Sequence, residues 1–136
     1  MSQMSDYLET QIGNLLFRTQ VAWKPAAIYV GLLTAAPSDS GGGTEVSGGS
    51  YARAQVTQLD ANWNAPTAGN GLFDNVNDIA FPTPSANWGV VTHWAIYDAS
   101  VAGNLLIHGA LTAQKTINNG DPAPKFSAGA LDITFA

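Results

Sequence analysis

The chain contains no cysteine, so disulfide bonds and thiolate chemistry are excluded from its fold and its function. Charged residues are also scarce: they make up 11% of the sequence, against roughly 25% in an average soluble domain. A surface with few charges meets little like-charge repulsion, which suits a subunit that packs against neighbouring proteins.

Basic residues are few and dispersed along the chain. Ten acidic residues outnumber the five basic ones and give a net charge of −5; the basic residues are Arg18, Lys24, Arg53, Lys115 and Lys125. Binding to the phosphates of nucleic acids needs clustered lysine and arginine side chains. The sequence therefore predicts that nucleic acid is not a partner.

Long apolar runs are absent as well. No stretch approaches the roughly 20 apolar residues that a membrane-spanning helix needs, so we expect no membrane insertion. The first residues, MSQMSDYLETQ, lack the basic and apolar regions of a secretory signal. These features predict a chain that is made and used as a soluble protein.

The most regular part of the sequence is residues 88–111. Two apolar runs, 90–97 and 105–111, flank the turn-forming residues DASVAG, and this pattern is typical of an antiparallel hairpin. A turn centred between residues 100 and 101 places Trp94 opposite Ile107 and Ile96 opposite Leu105. These four side chains would then share the core face of the sheet.

The same register predicts that His93 and His108 lie directly opposite each other. Cross-strand Cβ atoms about 5 Å apart are close enough to share a metal ion. A metal-dependent enzyme would still need a third ligand, and no nearby residue obviously supplies one. Two strand histidines that form local hydrogen bonds are therefore the preferred interpretation.

The N-terminal segment has the periodicity of an amphipathic helix. Asp6 and Glu9 have the spacing of a capping box, and the predicted helix covers residues 6–19. Its apolar residues recur on one face and are our candidate assembly contacts: Leu8, Ile12, Leu15 and Leu16. We therefore assign residues 1–24 to an N-terminal helical segment that either covers one end of the body or docks on another subunit.

Residues 25–136 have the pattern of a β domain. Short apolar or alternating runs are separated by turn residues; they are 28–33, 51–59, 79–81, 90–97, 105–111, 115–117, 125–126 and 131–135. The pattern predicts a mainly β protein: a single-domain antiparallel β-sandwich of about seven short strands, with one N-terminal amphipathic helix.

Two connections are long enough to have a role of their own. Residues 38–50 contain five glycines, so we expect this glycine-rich loop to be mobile unless a partner holds it. Residues 62–78 form a polar, Asn-rich connection in which Trp63, Leu72 and Phe73 are the expected anchors. Trp63 is the candidate for a ligand contact, because exposed aromatic rings stack on sugars.

The motifs of common catalytic centres are missing. The sequence has no G-x-S-x-G nucleophile elbow, and the glycine-rich loop lacks the terminal Gly-Lys-Ser/Thr of a phosphate-binding loop. The acidic residues fall mainly in turns, where aspartate closes the backbone rather than forming a catalytic pair. We therefore expect no cofactor and no enzymatic activity.

Four stretches carry a resemblance to a known family. Residues 28–53 read IYVGLLTAAPSDSGGGTEVSGGSYAR, in which 41–53 follow G-G-G-T-E-V-S-G-G-x-Y-x-R. Residues 88–98 follow W-G-x-V-T-H-x-x-I-Y/F-D, 103–111 follow G-N-L-L-x-x-G-A-L, and 126–135 read FSAGALDITF. In these motifs and their order, the chain resembles small tailed-bacteriophage virion proteins of the tail fibre-like or surface accessory type.

The resemblance implies a non-enzymatic structural subunit that is made in the host cytoplasm and resides in the virion. Its partners would be other virion proteins and further copies of itself, and capsid decoration (a cement protein) and a tail-fibre or tail-tip position both stay open. The chain departs from the family at residues 62–78, which are longer and richer in Asn and Gly. A carbohydrate-binding module for receptor recognition, with Trp63 on a host surface glycan, is the alternative; a metal-dependent enzyme built on His93 and His108 is a third.

Overall fold

The computed structural model describes residues 2–20, 22–67 and 69–135; Met1, Val21, Ala68 and Ala136 lie outside the described residues. The described part contains one helix and eleven strands, namely β1 (Ser2–Met4), α1 (Asp6–Phe17), β2 (Ile28–Ala35), β3 (Thr44–Glu45), β4 (Ala54–Val56), β5 (Trp63–Asn64), β6 (Leu72–Asn75), β7 (Ile79–Ala80), β8 (Gly89–Tyr97), β9 (Leu105–Ile117), β10 (Lys125–Phe126) and β11 (Asp132–Thr134). The prediction of a mainly β, single-domain sandwich is confirmed. The strands are more numerous than the expected seven because several span only two or three residues.

Three antiparallel sheets build the sandwich. The main sheet has the order β1-β9-β8-β2-β3, and β4 also pairs with β2. A sheet of order β11-β6-β5 and the pair β10-β7 lie apart from it. Buried residues of all three sheets belong to one hydrophobic cluster, which includes Leu32, Trp94, Ile79 and Ile133. The core therefore lies between the main sheet and the two smaller ones.

The central hairpin forms as predicted, but its register is two residues away from the prediction. Trp94 lies opposite Gly109 and Ile96 lies opposite Ile107. The turn is closed by the Asp98 carboxylate, which accepts hydrogen bonds from the backbone N–H of Asn104 (2.7 Å) and from its side chain (2.8 Å). This places the centre of the turn at residue 101, half a residue beyond the predicted centre.

A bulge accounts for the rest of the register difference. Tyr97 pairs with Leu105 while Ile96 pairs with Ile107, so Leu106 is an extra residue in β9. Trp94, Ile96 and Ile107 still face the main core. The prediction for Leu105 is wrong: it belongs to a second cluster with Leu33, Ala95 and Tyr97.

Gly109 is required where the indole of Trp94 crosses β9. A Cβ atom at this position would lie 2.7 Å from Cζ2 of Trp94, which is closer than two non-bonded carbon atoms normally approach. The indole fills the place of the absent side chain and is itself buried. Its packing across the hairpin thus depends on a glycine in the partner strand.

The N-cap of helix α1 lies one residue before the predicted capping residue, Asp6. Ser5 is the N-cap, and its Oγ accepts a hydrogen bond from the backbone N–H of Leu8 at 3.2 Å. Asp6 is already inside the first turn, and its backbone N–H donates to the carbonyl of Asp39 instead. The helix ends at Phe17, two residues before the predicted end, where Arg18 is extended and donates its N–H to the carbonyl of Asn14.

Residues 62–78 are not a plain polar connection, because they contain β5 and β6. Strand β6 pairs with β11, and the buried side chain of Asn75 fixes this corner. Its amide donates to the carbonyls of Asn77 (2.8 Å) and Ser127 (2.9 Å), and its oxygen accepts from the N–H of Leu131 (2.8 Å). An asparagine side chain that replaces backbone pairing has no periodic signature in sequence.

Candidate functional site

The structure divides the predicted assembly face of α1 into a packed half and a free half. Leu8 is 8% exposed and belongs to the core, and Ile12 is half-buried against it. Leu15 and Leu16 are 47% and 67% exposed. Phe17, which lies outside the predicted contact face, is 85% exposed. The three residues Leu15, Leu16 and Phe17, which we call the helix end, therefore form an apolar projection.

Phe17 was missed because it lies off the i, i+4, i+7, i+8 series that was used to find the helix. The periodicity shows which side of the helix is apolar, but it does not show how far along the helix the sandwich covers that side. Helix α1 packs against β9 through its N-terminal half. A run of three consecutive apolar residues at a helix terminus, LLF, is the signal that could have identified the projection.

Trp63 lies in β5 at the side of a large apolar pocket. The pocket has a volume of about 380 Å³ and lies open to solvent between α1, the main sheet and the β11-β6-β5 sheet. We call it the apolar pocket; its described lining is Leu8, Trp23, Pro25, Ile28, Gln58, Leu59, Asp60, Trp63, Ala65, Phe73, Ile96, Leu106, Ile107, Ile133 and Phe135. Pockets of this volume commonly bind ligands or inserted side chains.

The indole N–H of Trp63 has no hydrogen-bond partner among the described residues, although its nitrogen is buried. An unpaired buried donor costs free energy, so such groups normally find an acceptor. Only Gln58 and Asp60 bring polar side chains to the lining. A sugar ring, with a hydroxyl on most carbons, would leave most of its own polar groups unpaired here.

The glycine-rich loop is held by residues of the same chain. The carboxylate of Glu45 accepts two hydrogen bonds from Arg53, at 2.8 Å and 2.7 Å, and a third from the hydroxyl of Tyr51 at 2.8 Å. Arg53 also donates to the carbonyls of Ala99 and Ala102 in the hairpin turn. The sequence predicts a loop that is mobile unless a partner holds it; in the structure, Arg53 and Tyr51 of the same chain hold Glu45 against the main sheet.

Charge and burial reinforce one another in this network. The Arg53 side chain is only 6% exposed, and its guanidinium stacks 3.5 Å from the ring centre of Tyr97. Burial opposes its charge, but the hydrogen bond and the charge of Glu45 outweigh burial and raise the pKa of Arg53. Burial also raises the pKa of the Tyr51 hydroxyl far above its usual range, with a further contribution from Glu45.

Gly31 allows this network to approach the sheet. A Cβ atom at Gly31 would lie 2.9 Å from Oε1 of Glu45 and 3.2 Å from the hydroxyl of Tyr51. The Tyr51 hydroxyl also accepts the backbone N–H of Leu32 at 2.9 Å. The G-G-G-T-E-V-S-G-G-x-Y-x-R motif thus encodes a structural fastening in this chain, in which Glu, Tyr and Arg are the connected residues.

The two histidines are not cross-strand partners. His93 lies opposite Ala110, and His108 lies opposite Ala95. Each has a local contact: Nδ1 of His93 is 2.8 Å from the hydroxyl of Thr92, and Nε2 of His108 is 3.0 Å from the carboxylate of Asp39. Within residues 2–20, 22–67 and 69–135, no three His, Cys, Asp or Glu side chains are grouped so that they could hold a metal ion.

The acidic residues that were considered as a catalytic pair have structural contacts. Asp98 closes the hairpin turn, and Asp74 accepts a hydrogen bond from the Asn64 amide at 2.6 Å. Asp78 accepts from Lys125 at 2.6 Å and from the backbone of Ala128, and these contacts lower its pKa. Of the three, only Asp98 closes a turn as the sequence predicts; Asp74 lies within strand β6, and Asp78 joins distant parts of the chain.

The fold and these surfaces define a class of protein: a β-sandwich domain whose distinctive features are an apolar projection and an apolar pocket. The particular family follows from comparison with protein-family models. Residues 3–134 match the model described as Podophage GP4 fiber I protein gp80. The chain therefore belongs to this family of phage fibre structural proteins, and the resemblance to tail fibre-like virion proteins is confirmed.

A search of curated proteins gave no match. Among the described residues, the single helix of twelve residues is too short to cross a membrane. Membership of a phage fibre family implies association with the virion and contact with other virion components.

Proposed function

We propose that this chain is a non-enzymatic structural subunit of a tailed-phage fibre, displayed on the particle surface as a homo-oligomer. The observation that carries the proposal is the exposure of the apolar helix end in a chain that belongs to a fibre family. Phe17, at 85% exposure, and Leu16, at 67%, lie side by side on a terminus that the body does not cover. Exposed apolar groups of this kind mark contacts with other proteins.

The N-terminal segment, residues 1–24, is the proposed assembly contact, and residues 25–136 are the proposed sandwich body. Strand β1 pairs with β9, and Leu8 enters the core, so the start of the segment is fastened to the body. The end of the helix remains available to a neighbour. The family description as a fibre protein favours a tail-fibre or tail-tip position over capsid decoration.

Incorporation into particles tests the assembly role. Deleting residues 1–20 would also remove β1 and Leu8, so a loss of folding could be mistaken for a loss of contact. Phe17→Ser combined with Leu16→Ser changes only exposed side chains. We expect particles grown with this variant to contain much less of the chain, as measured by immunoblot of purified virions.

Val101→Ser is the matched control, because Val101 is an apolar residue with 81% exposure in the hairpin turn, away from the helix. Normal incorporation of the control and reduced incorporation of the helix-end variant would support the proposal. Equal incorporation of both would show that the helix end is not the assembly contact.

The position in the particle is tested by labelling the C-terminus and imaging intact virions by electron microscopy. The fibre assignment predicts label at the tail. Label over the head lattice would instead make the chain a decoration protein, and label at neither place would contradict a virion role.

Carbohydrate binding is the second candidate: Trp63 lines a pocket that opens to solvent, although the lining offers a sugar few polar partners. It predicts glycan-array binding that Trp63→Ala abolishes. Absence of binding to host surface sugars would exclude receptor recognition through Trp63.

A further inference from the structure

The chain carries both an apolar projection and an apolar pocket. The pocket is lined almost wholly by hydrocarbon and aromatic groups, including Leu8, Ile107 and Phe73, and its volume of about 380 Å³ exceeds that of one large side chain. A surface with both features offers a complementary contact to another copy of itself. Leu8 and Phe17 are nine residues apart in one helix, so projection and pocket lie roughly 13 Å from each other along its axis.

Charge supplies a second match between the two surfaces. Arg18 follows the helix end directly and is exposed, and Asp60 is an exposed carboxylate at the rim of the pocket. Neither of them forms an ion pair with another described residue. When Leu16 and Phe17 occupy the pocket, Arg18 is the next residue in the chain, so it reaches the rim where Asp60 lies.

We propose that the helix end of one copy inserts into the apolar pocket of a second copy, with Phe17 and Leu16 in the pocket and Arg18 paired with Asp60. This rests on the proposed assembly role of the N-terminal segment and names its partner as the chain itself. The contact removes the most exposed aromatic side chain from water.

Self-association of the purified protein tests the proposal directly, by sedimentation velocity over a concentration series. The wild type should associate, and Phe17→Ser should weaken association by roughly tenfold or more, as expected for a buried aromatic anchor. Ala65→Trp, which adds an indole to the pocket lining, should have the same effect from the opposite surface. Val101→Ser should associate like the wild type.

A charge exchange separates a specific contact from general stickiness. Arg18→Glu and Asp60→Arg should each weaken association, while the double variant Arg18→Glu/Asp60→Arg should regain most of it. Circular dichroism checks the folding of the variants at all five positions, and the two charged positions lie on the surface, where substitution rarely affects folding.

The outcomes also distinguish this inference from the proposed function. A wild type that stays monomeric, or single variants that associate normally, would overturn the inference. A further outcome is that the variant with both Phe17→Ser and Leu16→Ser self-associates like the wild type in solution and still fails to enter virions. The helix end then binds another virion protein, and the proposed function stands without self-insertion. If association is lost in the double charge variant as well, Arg18 and Asp60 are not partners.

Discussion

The helix end and the glycine-rich loop are opposite in composition and opposite in how the fold treats them. The loop, residues 38–50, is polar and rich in glycine, yet Glu45 connects it through Arg53 and Tyr51 to the sheet and the hairpin turn. The helix end is apolar and lies in regular structure, yet Leu16 and Phe17 have no cover. The polar segment is satisfied within the chain, and the apolar segment is not.

The contrast teaches which property marks a contact surface in this protein. Glycine content describes how much entropy a loop loses on ordering, and a buried ion pair with several hydrogen bonds can compensate for that loss. Apolar surface that stays in water has no such compensation inside the chain. Unsatisfied groups are therefore better indicators of the assembly contact than loop composition.

The largest effect is expected where the loop is fastened. Arg53→Met leaves the Glu45 carboxylate, 26% exposed, without its cation and without two hydrogen bonds, so we expect a loss of about 2–3 kcal/mol in the free energy of unfolding. Urea denaturation followed by tryptophan fluorescence measures this loss. Lys125→Met is the matched control, because its pair with Asp78 is half exposed on both sides, and it should unfold near the wild-type midpoint. Equal midpoints for the two variants would show that the network does not hold the loop.

A second comparison uses one glycine beside the loop network, Gly31, and one glycine in the helix, Gly13. Gly31→Ala would place a Cβ against Glu45 and Tyr51, whose positions are fixed by the network, and should destabilise the protein by about 1–2 kcal/mol. Gly13→Ala in α1 meets no atom within 4 Å and should stabilise it by about 0.5–1 kcal/mol. Thermal melts of the two variants should therefore shift in opposite directions. A gain in stability for Gly31→Ala would mean that the network has room to move.

Elements with strong periodic patterns could be predicted from the sequence. The amphipathic helix, the central hairpin and the final strand all have strong periodic patterns, and all three form, although α1 ends two residues early and β9 continues through the predicted break to Ile117. The register of the hairpin was missed because it depends on the Asp98 closure and on the extra residue Leu106, neither of which alters the apolar pattern.

The candidate site was harder to predict because it depends on three-dimensional neighbours. Trp63 was selected for its polar surroundings in sequence, but in space it lines a pocket of apolar residues from distant segments, such as Leu8 and Ile133. Arg53 lies on the polar side of the alternating run 51–59, yet its side chain is buried; its partners are the carboxylate of Glu45 and two carbonyls more than forty residues further along the chain. Long-range pairing of this kind is visible only after folding.

A smaller effect is expected from the tyrosine in the network. Its folded pKa is raised, so between pH 10 and that higher value the unfolded chain loses the Tyr51 proton while the folded chain keeps it, and stability falls as pH rises. Tyr51→Phe removes this proton and should make the fall above pH 10 shallower, while the lost hydrogen bonds cost about 1 kcal/mol at neutral pH. Some slope should remain, since burial and Glu45 also raise the pKa of Tyr97. Urea midpoints between neutral pH and pH 11 measure both changes, and an unchanged alkaline slope in the variant would contradict the role of Tyr51.

The smallest change in the free energy of unfolding is expected at the helix end. A small change there would show that the helix end does not stabilise its own chain. Because Phe17 is 85% exposed and phenylalanine and serine have similar helix propensities, Phe17→Ser should change the free energy of unfolding of the dilute monomer by less than about 0.5 kcal/mol. Leu8→Ala, on the packed half of the same helix, should cost about 2–3 kcal/mol, since it leaves a cavity beside β9. Denaturation at low protein concentration keeps self-association out of the measurement. If Phe17→Ser lowers the free energy of unfolding as much as Leu8→Ala does, the aromatic ring packs on its own chain. The helix end then has no uncovered apolar surface, and the contrast with the loop disappears. If it costs nothing but lowers association or incorporation, the ring contributes its burial to another subunit.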